Sequence, residues 1–139
     1  MQFIQPARNQ NELFLSADIS RIYIIPQNVH AILKTSCYDC HSNKTLYPWY
    51  SNIQPGGWWL ASHIKKGKAE LNFSEFGEYS VRRQQSKLKA IEESVEDDDM
   101  PLSSYTLIHT SAKLSPAEKK QLLDWVAKTK DHLSQLNKQ

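Results

Sequence analysis

Apolar residues recur at helical spacing along most of this chain. Val29, Ile32 and Leu33 fall at i, i+3 and i+4 behind Pro26, which predicts a helix running from Pro26 to the edge of Cys37. A second helix is predicted from Trp58 to about Lys66, with Trp59, His63 and Lys66 on one face and Gly67 near its end. A third and more polar one spans about Ser80 to Val95 and carries Leu88, Ile91 and Val95 at helical spacing. The last has the clearest start. Ser115-Pro116-Ala117-Glu118 reads as a capping box with Pro at the first helical position, and Leu122, Leu123, Trp125 and Val126 supply its apolar face. Ile19, Ile22, Tyr23, Ile24 and Ile25 are β-branched enough to pass for a strand, but the expectation is an extended arm packed on the core. The prolines and glycines of 42–57 forbid long regular structure, and Asn72 to Phe76 reads as a turn with apolar anchors. The predicted class is all-α with long loops.

With 139 residues the chain has the length of one domain, divided here into an N-terminal arm, 1–25, and a helical domain, 26–139. A hydrophobic fraction of 40% suffices for a small core. A formal net charge of +2, with no dense Lys/Arg stripe, argues against a nucleic-acid partner. No run of eighteen or so apolar residues is present, so no membrane span is predicted within the sequence.

Chemistry concentrates in Cys37-Tyr38-Asp39-Cys40-His41, a C-x-x-C-H pentad. This is the attachment signature of a c-type haem. Two intervening residues let both sulfurs reach one edge of a flat macrocycle, where they add across its vinyl groups. The adjacent imidazole then comes up under the iron as proximal ligand. Other readings fit less well. A redox dithiol wants strands and a βαβ context. A closed zinc site needs four ligands, and with only two cysteines His41 and another histidine would have to complete it. A disulfide across two residues closes a small strained loop that staples little. Haem c is attached outside the cytoplasm, whereas Met1 to Pro6 has neither a basic n-region nor an apolar h-region. The expectation is therefore that Gln2 to Pro6 trails a removed signal anchor and that Met1 is an added start.

An electron-carrying haem wants a second strong axial ligand, and Met1, Met100, His30, His63, His109 and His132 are the candidates. Met100 is preferred because it precedes Pro101 at a break between helix and loop, from which a thioether can swing over the distal face; a plain buried methionine is the bland alternative. His63, next to the Trp58-Trp59 pair, is the runner-up, or else a core or haem-edge histidine. His109 is read as anchoring the loop after Met100, and His30 and His132 as surface. His/Met ligation gives a higher reduction potential than two histidines. Trp49, Trp58, Trp59, Tyr47, Tyr50 and Tyr105 are read as core first, with Trp59 and Tyr105 as candidates to wall the porphyrin. The acidic run through Glu92-Glu93 and Glu96 to Asp99 is a solvated helix end, or a docking patch for a basic redox partner.

These motifs together resemble a known family. Cys37-Tyr38-Asp39-Cys40-His41-Ser42-Asn43, Tyr47-Pro48-Trp49-Tyr50, Trp58-Trp59-Leu60 with His63, Leu71-Asn72-Phe73-Ser74, and Met100-Pro101-Leu102 with Tyr105 and His109 resemble the small bacterial haem-binding domain family, cytochrome c-like proteins common in Bacteroidetes-type bacteria. The resemblance covers roughly residues 20–130. It implies a class I cytochrome c-like fold around one covalent haem, with the N- and C-terminal helices crossing, and an exported protein with an N-terminal membrane anchor. It matches Cys37 and Cys40 to the attachment thiols, His41 to the proximal ligand and Met100 to the Met-Pro distal motif.

The expected function is that of a monohaem c-type cytochrome domain, carrying single electrons in the periplasm between partner proteins. It is expected to be a monomer and not an enzyme, since the redox chemistry belongs to the haem. A haem-based sensor with a displaceable distal ligand is the alternative. A peroxidase would want an open distal site or a second haem, and the chain has one pentad.

Overall fold

The Val29, Ile32, Leu33 stripe does lie on one buried helix face in the computed structural model of the chain, which describes residues 4, 6–9, 17–45 and 47–137. That helix, α2 (Gln27–Ser36), has Pro26 at its N-cap. One residue later the chain turns into α3 (Tyr38–His41), so the long helix delivers the pentad directly. The longer elements that follow are α4 (Gly56–Glu70), α5 (Val81–Glu96) and α7 (Pro116–Asn137), with a short α6 (Ser103–Ile108) between the last two. Short 3₁₀ helices cover Trp49–Asn52, Phe73–Glu78 and Thr110–Ala112. There is no β-strand element among the described residues.

Two sequence expectations change. Ile19–Ile22 forms a turn of helix, α1, rather than an extended arm. Asp18 is responsible, because its carboxylate accepts from the Ser20 amide and nucleates the turn. The chain turns extended at Tyr23, and the Trp125 indole holds the segment that follows by donating to the Ile24 carbonyl at 3.3 Å. Much of the predicted arm (1–3, 5 and 10–16) lies outside the described residues. The second correction is α4, which begins before Trp58 and continues through Gly67 to Glu70. Gly67 does not end the helix because its missing side chain serves packing rather than capping.

The predicted capping box is formed in full. The Glu118 amide donates to Ser115 Oγ and the Ser115 amide to Glu118 Oε1, both at 3.2 Å. From that start α7 lies along α5 and against α2. Leu88, Leu122, Val126 and Leu133 are sealed between them with Leu33 and Phe73. Each such side chain contributes on the order of 1.5–3 kcal/mol by leaving water. A second, smaller core gathers Tyr50, Leu60, Ile64, Tyr105 and Ala112, where α4 and α6 meet. The pentad sits between the two, with Cys37 packed on the first and Cys40 on the second. The result is an all-α, cytochrome-like arrangement of helices.

Candidate functional site

The pentad is fixed by bonds from three directions. Gly67 lies so close to it that a Cβ there would stand 2.5 Å from the Cys40 carbonyl oxygen, so only glycine lets α4 reach the pentad backbone. Below, Ser42 Oγ donates to the Tyr38 carbonyl at 2.7 Å, and Thr45 Oγ1 to the Asp39 carbonyl at 2.6 Å. On the far side the Tyr105 hydroxyl donates to Asp39 Oδ2 at 2.7 Å, tying α6 to the middle of the pentad.

His41 is oriented by its Nδ1, which lies 2.8 Å from the Gly67 carbonyl and 2.9 Å from the Leu71 carbonyl. Carbonyl oxygens only accept, so the proton must be on Nδ1. In the neutral ring Nε2 then carries the lone pair, which is the form a metal-ligating histidine needs. Phe73 meets the ring edge-on at 6.4 Å and also packs on Tyr38. Phe73 is in turn positioned by the next motif. Asn72 Nδ2 donates to Asn43 Oδ1 at 2.8 Å in a buried pair, and the Asn43 amide donates to Ser74 Oγ.

A cleft opens beside these groups. Its larger part, about 230 Å³, is lined by Cys37, His41, Leu71 and Phe73 and by one face of α5, and closes on Met100 and Pro101. A smaller arm of about 40 Å³ carries it past Cys40 to Leu102 and Tyr105. Both parts share Ser36, Cys37, His41, Met100 and Pro101, so they form one space. The α5 face is Lys87, Ala90, Ile91, Ser94 and Val95, and its small members leave room for something flat.

Met100 reaches this space because α5 ends abruptly. Asp98 adopts a left-handed φ of 59°, and the Asp99 and Met100 amides both donate back to the Ser94 carbonyl, at 2.9 and 3.1 Å. Lys119 grips the turn through Asp98 at 2.9 Å. Met100 is 38% exposed and borders the cleft, so it is not locked in the core.

Of the residues singled out in the sequence, Cys37, Cys40, His41, Met100 and Tyr105 converge on the cleft. Trp59 and His63 do not line it; their rings pack on one another on α4 at 4.7 Å. Nor do Trp49, Trp58, Tyr47 and Tyr50 wall it. His109 stacks on Tyr105 at 4.2 Å and pairs through Nε2 with the Tyr50 hydroxyl at 2.6 Å, so it does anchor the segment after Met100. His30 is half-buried against Tyr38 rather than at the surface, and His132 is exposed. Met1 lies outside the described residues. Sequence reasoning missed α6, the pentad contact of Gly67 and the cleft face of α5. The last had a signal in the spacing of Lys87, Ala90, Ile91 and Ser94, hidden because small residues do not read as an apolar stripe.

Both thiols are held neutral. Burial first, and then the charge of Cys40, pushes Cys37 up to about 12; burial and then Asp39 push Cys40 up to about 11. Dithiol oxidoreductases need the reverse, a depressed pKa in electropositive surroundings. Among the described residues no three His, Cys, Asp or Glu side chains gather as a metal-binding group, so the ligands a structural zinc would need are not assembled. Two thiols, an Nδ1-anchored imidazole and a thioether around one mainly apolar cleft suit a haem better than any other group. No described helix is long and apolar enough to cross a membrane.

Comparison with known proteins gives a family for the chain. No curated protein and no solved structure matches the chain. The family described as haem-binding domain matches residues 1–128, nearly the whole length. A cleft suited to a haem and a family match of that extent lead to one conclusion: the chain belongs to the haem-binding domain family.

Proposed function

We propose that this domain carries one haem c, joined through thioethers to Cys37 and Cys40 and ligated by His41 and Met100, and that it passes single electrons between partner proteins in the periplasm. The observation that carries the proposal is the convergence of both thiols, the Nδ1-anchored imidazole and the Met100 thioether on one apolar cleft. A haem bound there would supply reversible one-electron chemistry at its iron. The chain's own part is to hold the ligands still in both oxidation states. Gly67 and Leu71 fix the imidazole, Ser94 fixes the Met100 backbone, and Leu71, Phe73, Ile91 and Val95 keep water from the walls. In this reading the domain is a carrier and not an enzyme, it acts as a monomer, and an upstream anchor tethers it to the membrane.

Protein matured with a haem c assembly system should keep one haem after denaturation, seen as added mass and a c-type reduced spectrum. Cys37→Ala/Cys40→Ala should lose it. Haem that washes away from the denatured parent chain contradicts the proposal. The exposure of Met100 favours one second reading, a sensor whose distal ligand gives way to a gas. Rapid carbon monoxide binding to the ferrous protein would put that reading first; inertness supports the carrier.

A further inference from the structure

Lys87 is a cationic side chain in the wall of an otherwise mainly apolar cleft. It stands on the cleft face of α5, one turn before Ala90 and Ile91. Its ammonium donates to the backbone carbonyl of Glu70, at the end of α4. An ammonium has three protons, so this bond leaves two for another acceptor. Glu70 also borders the cleft, but its contact with Lys87 is through the main chain.

The chemistry of a porphyrin says what that acceptor would be. Its two vinyl groups sit on one edge and its two carboxylates on the opposite edge. In the haem reading proposed above, on which this inference rests, Cys37 and Cys40 hold the vinyl edge. Cys40 borders only the small arm of the cleft, and Lys87 only the large part. The carboxylate edge therefore lies toward α5. We infer that Lys87 is a haem-binding residue of this domain, its ammonium held by Glu70 so as to pair with a haem carboxylate. The other role open to it is capping the α4 C-terminus, which the Glu70 bond alone would explain.

The two roles separate in matured protein. Lys87→Gln removes a positive charge beside the ring, which favours the ferric state. The expected result is a lower midpoint potential, with changed propionate bending bands in the resonance Raman spectrum, while Lys87→Arg stays near the parent in both. Lys89→Gln is the control. It makes the same charge change on α5 at a side chain 67% exposed and paired with Glu93, and it should move neither readout. If Lys87→Gln does not fold, Lys87→Met keeps the apolar stem and makes the same test. A variant that loses thermal stability with potential and Raman bands unchanged is a cap only and overturns the inference. So does a potential shift that Lys89→Gln reproduces. A parent protein without covalent haem would overturn the haem reading itself and this inference with it, whereas loaded protein that does not respond overturns the inference alone.

Discussion

Tyr105 illustrates how a single hydroxyl organises the site. It is buried and donates to a carboxylate inside the pentad, while its ring stacks on His109. Burial first, and then the bond to Asp39, raises its phenol pKa, so it donates throughout the physiological range. Tyr105→Phe should cost about 1.5–3 kcal/mol, the range for a hydrogen bond to a charged group, because it removes the bond that ties α6 to the pentad. Thermal unfolding of the haem-free protein reads this directly, and an unchanged midpoint would show the bond to be idle. The thiols make a second prediction. Both folded values, about 12 and about 11, lie above the ordinary thiol value of 9.0. A raised value stabilises the fold fully below the unfolded pKa, and that contribution is lost as pH rises through the folded values. Haem-free protein should therefore resist iodoacetamide at pH 8 and lose stability between about pH 9 and 12. Rapid alkylation at pH 8 in the folded state would contradict it. At this scale the sequence was most legible. The pentad can be found from its spacing alone, whereas the Tyr105–Asp39 bond joins residues far apart in the chain and no local pattern announces it.

Among the elements, α5 lines the cleft and α4 backs the pentad, and both were only partly readable. Gly67 reads as a helix stop because glycine favours C-terminal positions. In the fold it is an interior residue whose bare backbone admits the pentad, and tertiary packing overrides the local preference. Gly67→Ala has opposing effects. Alanine is the better helix former by about 1 kcal/mol, but its methyl would collide with the Cys40 backbone. The collision should prevail, since main chain cannot rotate out of the way, giving a net loss of about 1–3 kcal/mol typical of overpacking. Circular dichroism on the haem-free protein should show the lower melting temperature, and a stabilised variant would mean that α4 and the pentad are further apart than described. The Ser115 capping box and the Val29, Ile32, Leu33 stripe were legible because each is closed within one turn of helix. Helix α6 was not, since Ser103–Ile108 is too short to show a period.

At the scale of the whole molecule, the motifs that are scattered in sequence meet around one space. Ser42-Asn43 binds Asn72 and Ser74, Phe73 faces His41, and Tyr50 meets His109. The all-α class and the pentad could be read along the chain, but the exclusion of Trp59 and His63 from the cleft could not. Both sit on the α4 stripe that leads to Gly67, and only the fold shows that the cleft meets α4 at its C-terminal end, at Glu70. The central claim is that His41 and Met100 bind one iron from the two sides of this cleft. Its most direct test is the absorption spectrum of the oxidised, matured protein, extended into the near infrared and compared with Met100→Ala and His63→Ala. The account predicts a low-spin spectrum with the weak sulfur-to-iron charge-transfer band, lost in Met100→Ala and kept in His63→Ala. A low-spin parent spectrum without that band, turned high-spin by His63→Ala, would contradict it.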